Sequence, residues 1–300
     1  MTIHNFSKMI QEKVEERLGE EFNVRLQQVQ KNNGVIFQGM VILNKARNVS
    51  PTIYLDDYYE AYCNGYDVER IIEGILKIYE EDTPKGNIDM DFFKDFQSVK
   101  DRICYRLIDE KLNRELLEKI PHVKFLNLAI CFYYAYESEE LGSGSILIYH
   151  THLAMWKVTV EELLALAHVN TPGLLPWECS SMENVLEELM GDCFMSEHDK
   201  MQFFKDVPMS VLSNNKRTYG ASCILYPGVL EQLSLRFQSG FYILPSSIHE
   251  VILLCDGCGE SEQELKNMIK EVNRTQLENV EVLSDSLYYY SLNKKQIEIL

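Results

Sequence analysis

The sequence predicts an α+β fold, with mixed or antiparallel sheets and flanking helices, because helical and strand patterns interleave along the chain. Apolar side chains recur three and four positions apart over residues 5–18, which predicts an amphipathic helix. Two short β-rich runs flank Asn33-Gly34 and predict a β-hairpin with its turn at these two residues. Thr159 and Glu162 have the spacing of a capping box, which predicts the start of a later helix.

The remaining patterns predict short elements of both kinds, separated by glycine, proline and polar turns. Helices are predicted at 110–119, 182–190 and 220–237, a strand at 125–136, and a turn at 142–145. Two stretches, 146–170 and 242–273, each consist of a predicted strand, a histidine-containing turn and a helix. They suggest two similar strand-turn-helix units within the fold.

The loop at residues 83–87 is rich in turn-forming residues and marks the clearest boundary in the chain. We expect a first region over residues 1–85, made of a helix, the hairpin and further helices. A larger α+β region over residues 86–300 would pack against it. The alternative is one continuous domain.

Composition indicates an acidic globular protein. The chain has 46 acidic and 29 basic residues, a formal charge of −17, and no compensating basic tract. Because nucleic-acid binding depends on clustered Lys and Arg, a nucleic-acid partner is disfavoured. No apolar run approaches the roughly 20 residues that a membrane-spanning helix needs, and the first residues lack a signal-peptide pattern. We therefore expect a cytoplasmic protein with no membrane partner.

One short string carries the groups that nucleophilic catalysis requires. Ser246 and Ser247 would be candidate nucleophiles, His249 a base and Glu250 its orienting carboxylate. Neighbours on a strand point to opposite faces, however, and the glycine-flanked serine of a nucleophile elbow is absent. The alternative is a corner between strands, in which a serine binds backbone amides and His249 is structural.

A second candidate site is built on cysteine and histidine. Cys255 and Cys258 have the spacing that lets two thiolates hold one zinc ion or form a redox disulfide. His150 and His152 would complete a site of two cysteines and two histidines if a strand placed both on one face. The alternative is an ordinary turn between reduced thiols, and no cofactor is expected.

Tyrosine is abundant, with 17 copies, and falls in three groups. The groups are Tyr58-Tyr59-Tyr62, Tyr133-Tyr134-Tyr136 and Tyr288-Tyr289-Tyr290. Exposed tyrosines are frequent in recognition surfaces, so these clusters suggest a protein partner. The alternative is that they fill half-buried positions on strands and helices.

A set of local strings resembles a known family. The set comprises Thr151-His152-Leu153, Asn170-Thr171-Pro172, Gly220-Ala221, Leu225-Tyr226-Pro227-Gly228, residues 244–251 and Leu283-Ser284-Asp285. Together these strings resemble an uncharacterised bacterial family, domain of unknown function 5688, over nearly the whole chain. The chain is also distantly similar to a second uncharacterised bacterial family of the same layout. The resemblance implies a bacterial cytoplasmic setting and brings no activity, cofactor or catalytic residue.

Since no complete catalytic signature is present, we expect a non-catalytic protein-binding or regulatory module, with its partner bound through the tyrosine clusters. The alternative is a hydrolase that uses His249 with Ser246 or Ser247.

Overall fold

The computed structural model describes residues 1–83, 91–138, 142–182, 209–257, 259 and 261–300. Helices and three antiparallel sheets are found there, which confirms the predicted α+β class. The chain forms two compact units, Met1–Phe93 with Glu137–Gly144, and Lys94–Tyr136 with Ser145–Leu300. None of the described helices is both long and apolar enough to cross a membrane.

The first unit contains a sheet in the order β1-β2-β3. Its elements are α1 (Ile3–Leu18), β1 (Phe22–Gln30), β2 (Ile36–Asn44), β3 (Thr52–Tyr54), α2 (Asp56–Cys63) and α3 (Val68–Asp82). Helix α1 and the hairpin of β1 and β2 confirm the sequence prediction. The hairpin turn needs left-handed backbone at Asn33 (φ 57°) and Gly34 (φ 70°), the two residue types that adopt it most readily.

The remaining elements begin after Phe93. In chain order they are α4 (Phe96–Val99), β4 (Ile103–Asp109), α5 (Arg114–Leu117), β5 (His122–Phe125), β6 (Leu128–Ser138), β7 (Gly142–Leu147), α6 (His150–Trp156), α7 (Val160–Leu174), β8 (Trp177–Ser181), β9 (Met209–Asn214), α8 (Val229–Phe237), β10 (Phe241–Pro245), β11 (Val251–Cys255), α9 (Glu262–Thr275), β12 (Tyr288–Ser291) and β13 (Gln296–Ile299). One sheet has the order β4-β6-β5, with β7 also paired to β6. The other has the order β13-β12-β10-β11-β9-β8.

Helix α7 is fixed to strand β4 by two adjacent polar side chains. The Asn170 amide donates to the carbonyl oxygens of Lys100 (2.7 Å) and Ile103 (3.0 Å). The hydroxyl of Thr171 accepts the backbone N–H of Tyr105 at 3.1 Å. A buried strand N–H without an acceptor would cost about 1–3 kcal/mol, so these bonds set where the helix lies.

Several predicted boundaries are wrong for local reasons. The strand predicted at 125–136 is divided between two strands, because Leu126 takes left-handed backbone (φ 56°) and turns the chain before Asn127. The helix predicted at 110–119 is reduced to α5. The carboxylate of Asp109 accepts the N–H of Leu112 at 2.7 Å, which holds the preceding residues in turns.

The structure also differs from the sequence patterns at segments that contain glycine or proline. Residues 142–145, predicted as a turn, belong to strand β7, and residues 139–141 lie outside the described part of the chain. Helix α7 continues through Pro172 to Leu174. The helix predicted at 220–237 is a 3-10 turn over Gly220–Leu225 followed by α8, which starts after left-handed Gly228. The helix predicted at 182–190 lies outside the described residues beyond Met182.

The two stretches predicted to be similar units differ in topology. In the first, β7 leads directly into helices α6 and α7. In the second, an antiparallel pair of strands, β10 and β11, comes before α9. As for domains, residues 84–90, which contain the predicted boundary, lie outside the described part, and the two units divide between Phe93 and Lys94.

Gly220 occupies a position with no room for a side chain. A Cβ atom there would lie 2.1 Å from Oγ of Ser213, 2.4 Å from the carbonyl oxygen of His249 and 2.8 Å from the backbone nitrogen of Asn214. Two of these three atoms belong to the backbone, which cannot rotate away. The close approach of the 3-10 turn to strand β9 therefore requires glycine.

We predict that Gly220→Ala lowers the free energy of unfolding by about 2–3 kcal/mol or more, because the added methyl group overpacks a site bounded by backbone. Trp156 and Trp177 both lie in the second unit, so tryptophan fluorescence in a urea titration follows its unfolding. The matched control is Gly173→Ala in α7, where a Cβ meets nothing within 4 Å. Gly173→Ala should raise the free energy of unfolding by about 0.5 kcal/mol, because alanine favours the helix more than glycine does. Equal effects of the two substitutions would contradict this packing.

Candidate functional site

The candidate catalytic string forms the corner between β10 and β11. The hydroxyl oxygen of Ser247 accepts the backbone N–H of His249 at 3.0 Å, and the N–H of Ser247 donates to the carbonyl oxygen of Glu250 at 3.1 Å. Ser247 is itself buried. Its hydroxyl therefore holds the turn.

The ring of His249 is directed to Tyr219. Its Nδ1 accepts the backbone N–H of Tyr219 at 3.2 Å, and the two rings stack with centroids 5.7 Å apart and planes 12° from parallel. In the described part of the chain, neither Ser246 nor Ser247 forms a hydrogen bond with this ring. The four predicted catalytic residues are neighbours at one corner, but they do not form a nucleophile-base pair.

Glu250 lies beside a cavity of only about 20 Å³, which it lines together with Arg217 and Ser213. Such a volume holds about one water molecule. Burial raises the pKa of Glu250, whereas the nearby Arg217 and His249 act to lower it. This corner has no space for a substrate within that cavity.

Among the described residues, the three proposed zinc ligands Cys255, His150 and His152 do not form one group. His150 and His152 lie in the first turn of α6 and not on a strand, and positions two apart on a helix do not share a face. Nδ1 of His152 accepts the N–H of Tyr149 at 3.1 Å, and burial lowers the pKa of His152. Cys255 ends β11, and Cys258 lies outside the described residues. Among the residues that are described, no three His, Cys, Asp or Glu side chains are grouped to hold a metal ion.

The tyrosine clusters are packed into the structure. Tyr133, Tyr134, Tyr288 and Tyr290 are buried, and Tyr58, Tyr59, Tyr62, Tyr136 and Tyr289 are half-buried. None of these nine tyrosines is exposed, which agrees with the alternative that they fill half-buried positions on strands and helices. In the first unit, for example, the ring of Phe6 lies 5.5 Å from that of Tyr59 and 5.2 Å from that of Tyr62.

A larger concave surface lies in the second unit. It is a groove of about 860 Å³ formed by the end of β4, α5, β5, the turn at Asn127 and the loop at 282–286, and we call it the polar groove. Its acidic lining residues are Asp109, Glu110, Glu118 and Asp285, and its basic ones are Lys111, Arg114 and Lys124. Few side chains in its lining are apolar, so the surface is charged with both signs.

Asn127 fixes the two sides of the polar groove to each other. Its amide nitrogen donates to the hydroxyls of Ser284 (3.1 Å) and Ser286 (3.2 Å), and its amide oxygen accepts the hydroxyl of Tyr288 at 2.7 Å. On the far side of the loop, the amide of Asn273 donates to the carboxylate of Asp285 at 2.8 Å. These bonds hold the loop at 282–286 in one conformation against the small sheet.

The charges in the polar groove are only partly paired. Lys124 and Glu110 form an ion pair at 2.8 Å, while Lys111 and Arg114 have no ion pair among the described residues. His122 can only donate from Nδ1 to the carbonyl oxygen of Ile120 (3.1 Å). In the neutral tautomer with the proton on Nδ1, Nε2 of this ring is an acceptor. The polar groove can offer both donors and acceptors to a ligand.

Sequence reasoning did not find the polar groove. Its residues lie in two segments, near 109–127 and 282–286, and no local pattern joins them. The only signal was Leu283-Ser284-Asp285, one of the strings behind the family resemblance. That string gave no indication of its partner, Asn127.

Neither the curated proteins nor the solved structures give a match to this chain. A match to the family of unknown function DUF5688 extends over residues 3–292, nearly the full length. It includes both units, the corner at His249 and the polar groove. The chain therefore belongs to the family of unknown function DUF5688.

Proposed function

We propose that this protein is a non-catalytic binding module, and that the polar groove takes an extended, charged segment of a partner protein. The observation that carries the proposal is a groove of about 860 Å³ that presents Lys111 and Arg114, two cations without an ion pair among the described residues. Unpaired charges of this kind favour a partner of complementary charge. The proposed setting is a bacterial cytoplasm, where the acidic composition favours solubility.

The character of the lining supports a protein segment over an apolar small molecule. Small-molecule pockets of this size are mostly apolar, with few polar groups. The polar groove instead has carboxylates, ammonium and guanidinium groups along its length. A peptide with charges of both signs can pair with all of these groups.

The neighbouring strand supports an extended ligand. Strand β5 pairs with β6 on one edge, and no strand lies along its other edge in the described part of the chain. Its residues His122 and Lys124 line the polar groove. An open strand edge can pair with an added strand, which gives affinity through the backbone while pockets select side chains.

The hydrolase alternative has no comparable support. The hydroxyl of Ser247 is bonded to a backbone N–H, and the ring of His249 is bonded and stacked to Tyr219. Activation of a serine requires its hydroxyl to lie within hydrogen-bond reach of the base. The geometry at this corner favours a structural role for both residues.

A photo-crosslinking side chain placed at Leu112 should capture the partner in cells of the source organism. Leu112 lines the polar groove and is 50% exposed. The same side chain at Val169 in α7, which is 74% exposed, should not capture that partner. Arg114→Glu should reduce the adduct at position 112 by about tenfold or more, because it reverses an unpaired charge in the groove. Arg70→Glu, on α3, is the matched control and should leave the adduct unchanged.

Equal adducts at positions 112 and 169, or an adduct at position 112 that Arg114→Glu leaves intact, would contradict binding in the polar groove.

Serine substitutions separate the structural reading of the corner from the catalytic one. We predict that Ser247→Ala lowers the free energy of unfolding by about 1–2 kcal/mol, because it leaves the N–H of His249 without its acceptor. The hydroxyl of Ser246 forms no hydrogen bond in the described part of the chain. Ser246→Ala should therefore change the free energy of unfolding by less than about 0.5 kcal/mol. Urea titration measures both. Loss of an esterase or amidase activity in either variant, without loss of stability, would favour the hydrolase alternative.

A further inference from the structure

Arg106, on strand β4, is a cation without an acceptor. It is half-buried, its Nε atom is fully buried, and no hydrogen bond or ion pair satisfies its guanidinium in the described part of the chain. A buried guanidinium normally has a carboxylate or another acceptor, because its desolvation is otherwise uncompensated. The chain carries 46 acidic residues, yet none of those described pairs with this group.

The contact that Arg106 does make is with an aromatic ring. Its Cζ atom lies 4.7 Å from the centroid of the Tyr219 ring. A cation-π contact of this kind orients the guanidinium while leaving all five N–H donors unused. The ring of Tyr133 packs edge-on against Tyr219 with centroids 5.2 Å apart.

The backbone around Tyr219 is held in place by its neighbours. Tyr219 has left-handed backbone (φ 53°), which is uncommon for a bulky residue. The side chain of Asn214 accepts the N–H groups of Lys216 (3.1 Å) and Thr218 (3.2 Å), which fixes the loop before it. The N–H of Tyr219 donates to His249, and Gly220 follows at the position where no side chain fits. The ring is therefore presented rigidly.

A pair of hydroxyls lies at the outer end of the same ring. The hydroxyl of Tyr219 is 3.3 Å from Oγ of Ser145, and Ser145 is exposed. Each hydroxyl has a donor and can also accept. When one of the two donates to the other, at least one O–H remains available to a ligand. Arg106 and Ser145 thus both contact Tyr219, and Ser145 lies at the solvent.

We propose that Arg106, Tyr219 and Ser145 form a binding site for an oxyanion, the phosphate or carboxylate group of a small molecule. Guanidinium matches the geometry of both groups and binds either through two parallel N–H donors. The hydroxyl pair supplies a further donor at the solvent side. This site is separate from the polar groove and does not depend on the function proposed for it.

The signal of the Arg106 Nε–H group in a nitrogen-proton NMR spectrum tests the proposal. Its burial should slow proton exchange enough for detection, and Arg106→Lys, which deletes the signal, assigns it. Sodium phosphate and sodium acetate are added separately to the full chain, with sodium chloride at matched ionic strength as reference. We expect a saturable shift with at least one of the two anions, and the anion that gives it distinguishes phosphate from carboxylate as the preferred group.

Two hydroxyl variants serve as a matched pair. Ser145→Ala should lower the affinity for the anion that binds by about tenfold, the usual effect of losing one hydrogen bond to a charged group. Thr218→Ala removes an exposed hydroxyl from the same loop, outside the site, and should leave the affinity within about twofold. No saturable shift with either anion overturns the proposal, as does an affinity that Ser145→Ala leaves unchanged.

Discussion

The close packing of Gly220 against the carbonyl oxygen of His249 is the constraint on which this part of the molecule depends. It brings the 3-10 turn onto strand β9 and the corner between β10 and β11. Once that approach is made, Tyr219 must precede it with left-handed backbone, and its N–H meets the imidazole of His249. The same geometry places the Tyr219 ring beside Arg106. The close approach at Gly220 thus goes together with the stacking of Tyr219 on His249 and with its contact with Arg106.

Several polar side chains in this protein hold separate segments of the chain together or fix a turn. Asn170 and Thr171 fix α7 to β4, Ser247 holds the corner, and Asn127 holds the loop at 282–286. Each of these bonds satisfies a group that would otherwise be buried without a partner, or orders a loop. Most of the strings that carry the family resemblance include such residues. Their pattern is therefore explained by folding, and the unpaired charges are left as the better guide to binding.

Patterns within short stretches of the sequence predicted those elements that interactions between neighbouring residues determine. Helix α1, the hairpin at Asn33-Gly34 and the capping box at Thr159 follow from periodicity and turn chemistry, and each is present. The turn at Leu126 was missed, because an apolar residue with positive φ has no sequence signature. The polar groove was missed because Asn127 meets Ser284 and Ser286 across more than 150 positions. At His249, the hydrogen bonds of Ser247 and of the ring agree with the alternative that the sequence left open, a corner held by a serine.

The most direct test of the account is hydrogen-deuterium exchange of the protein, alone and cross-linked to its partner. Binding in the polar groove predicts slower exchange at the amides of residues 109–112, 122–127 and 282–286, with little change at the corner 246–250. Slower exchange at that corner, or on the sheet of the first unit, with the polar groove unchanged, would contradict the account. The partner would then bind a different surface.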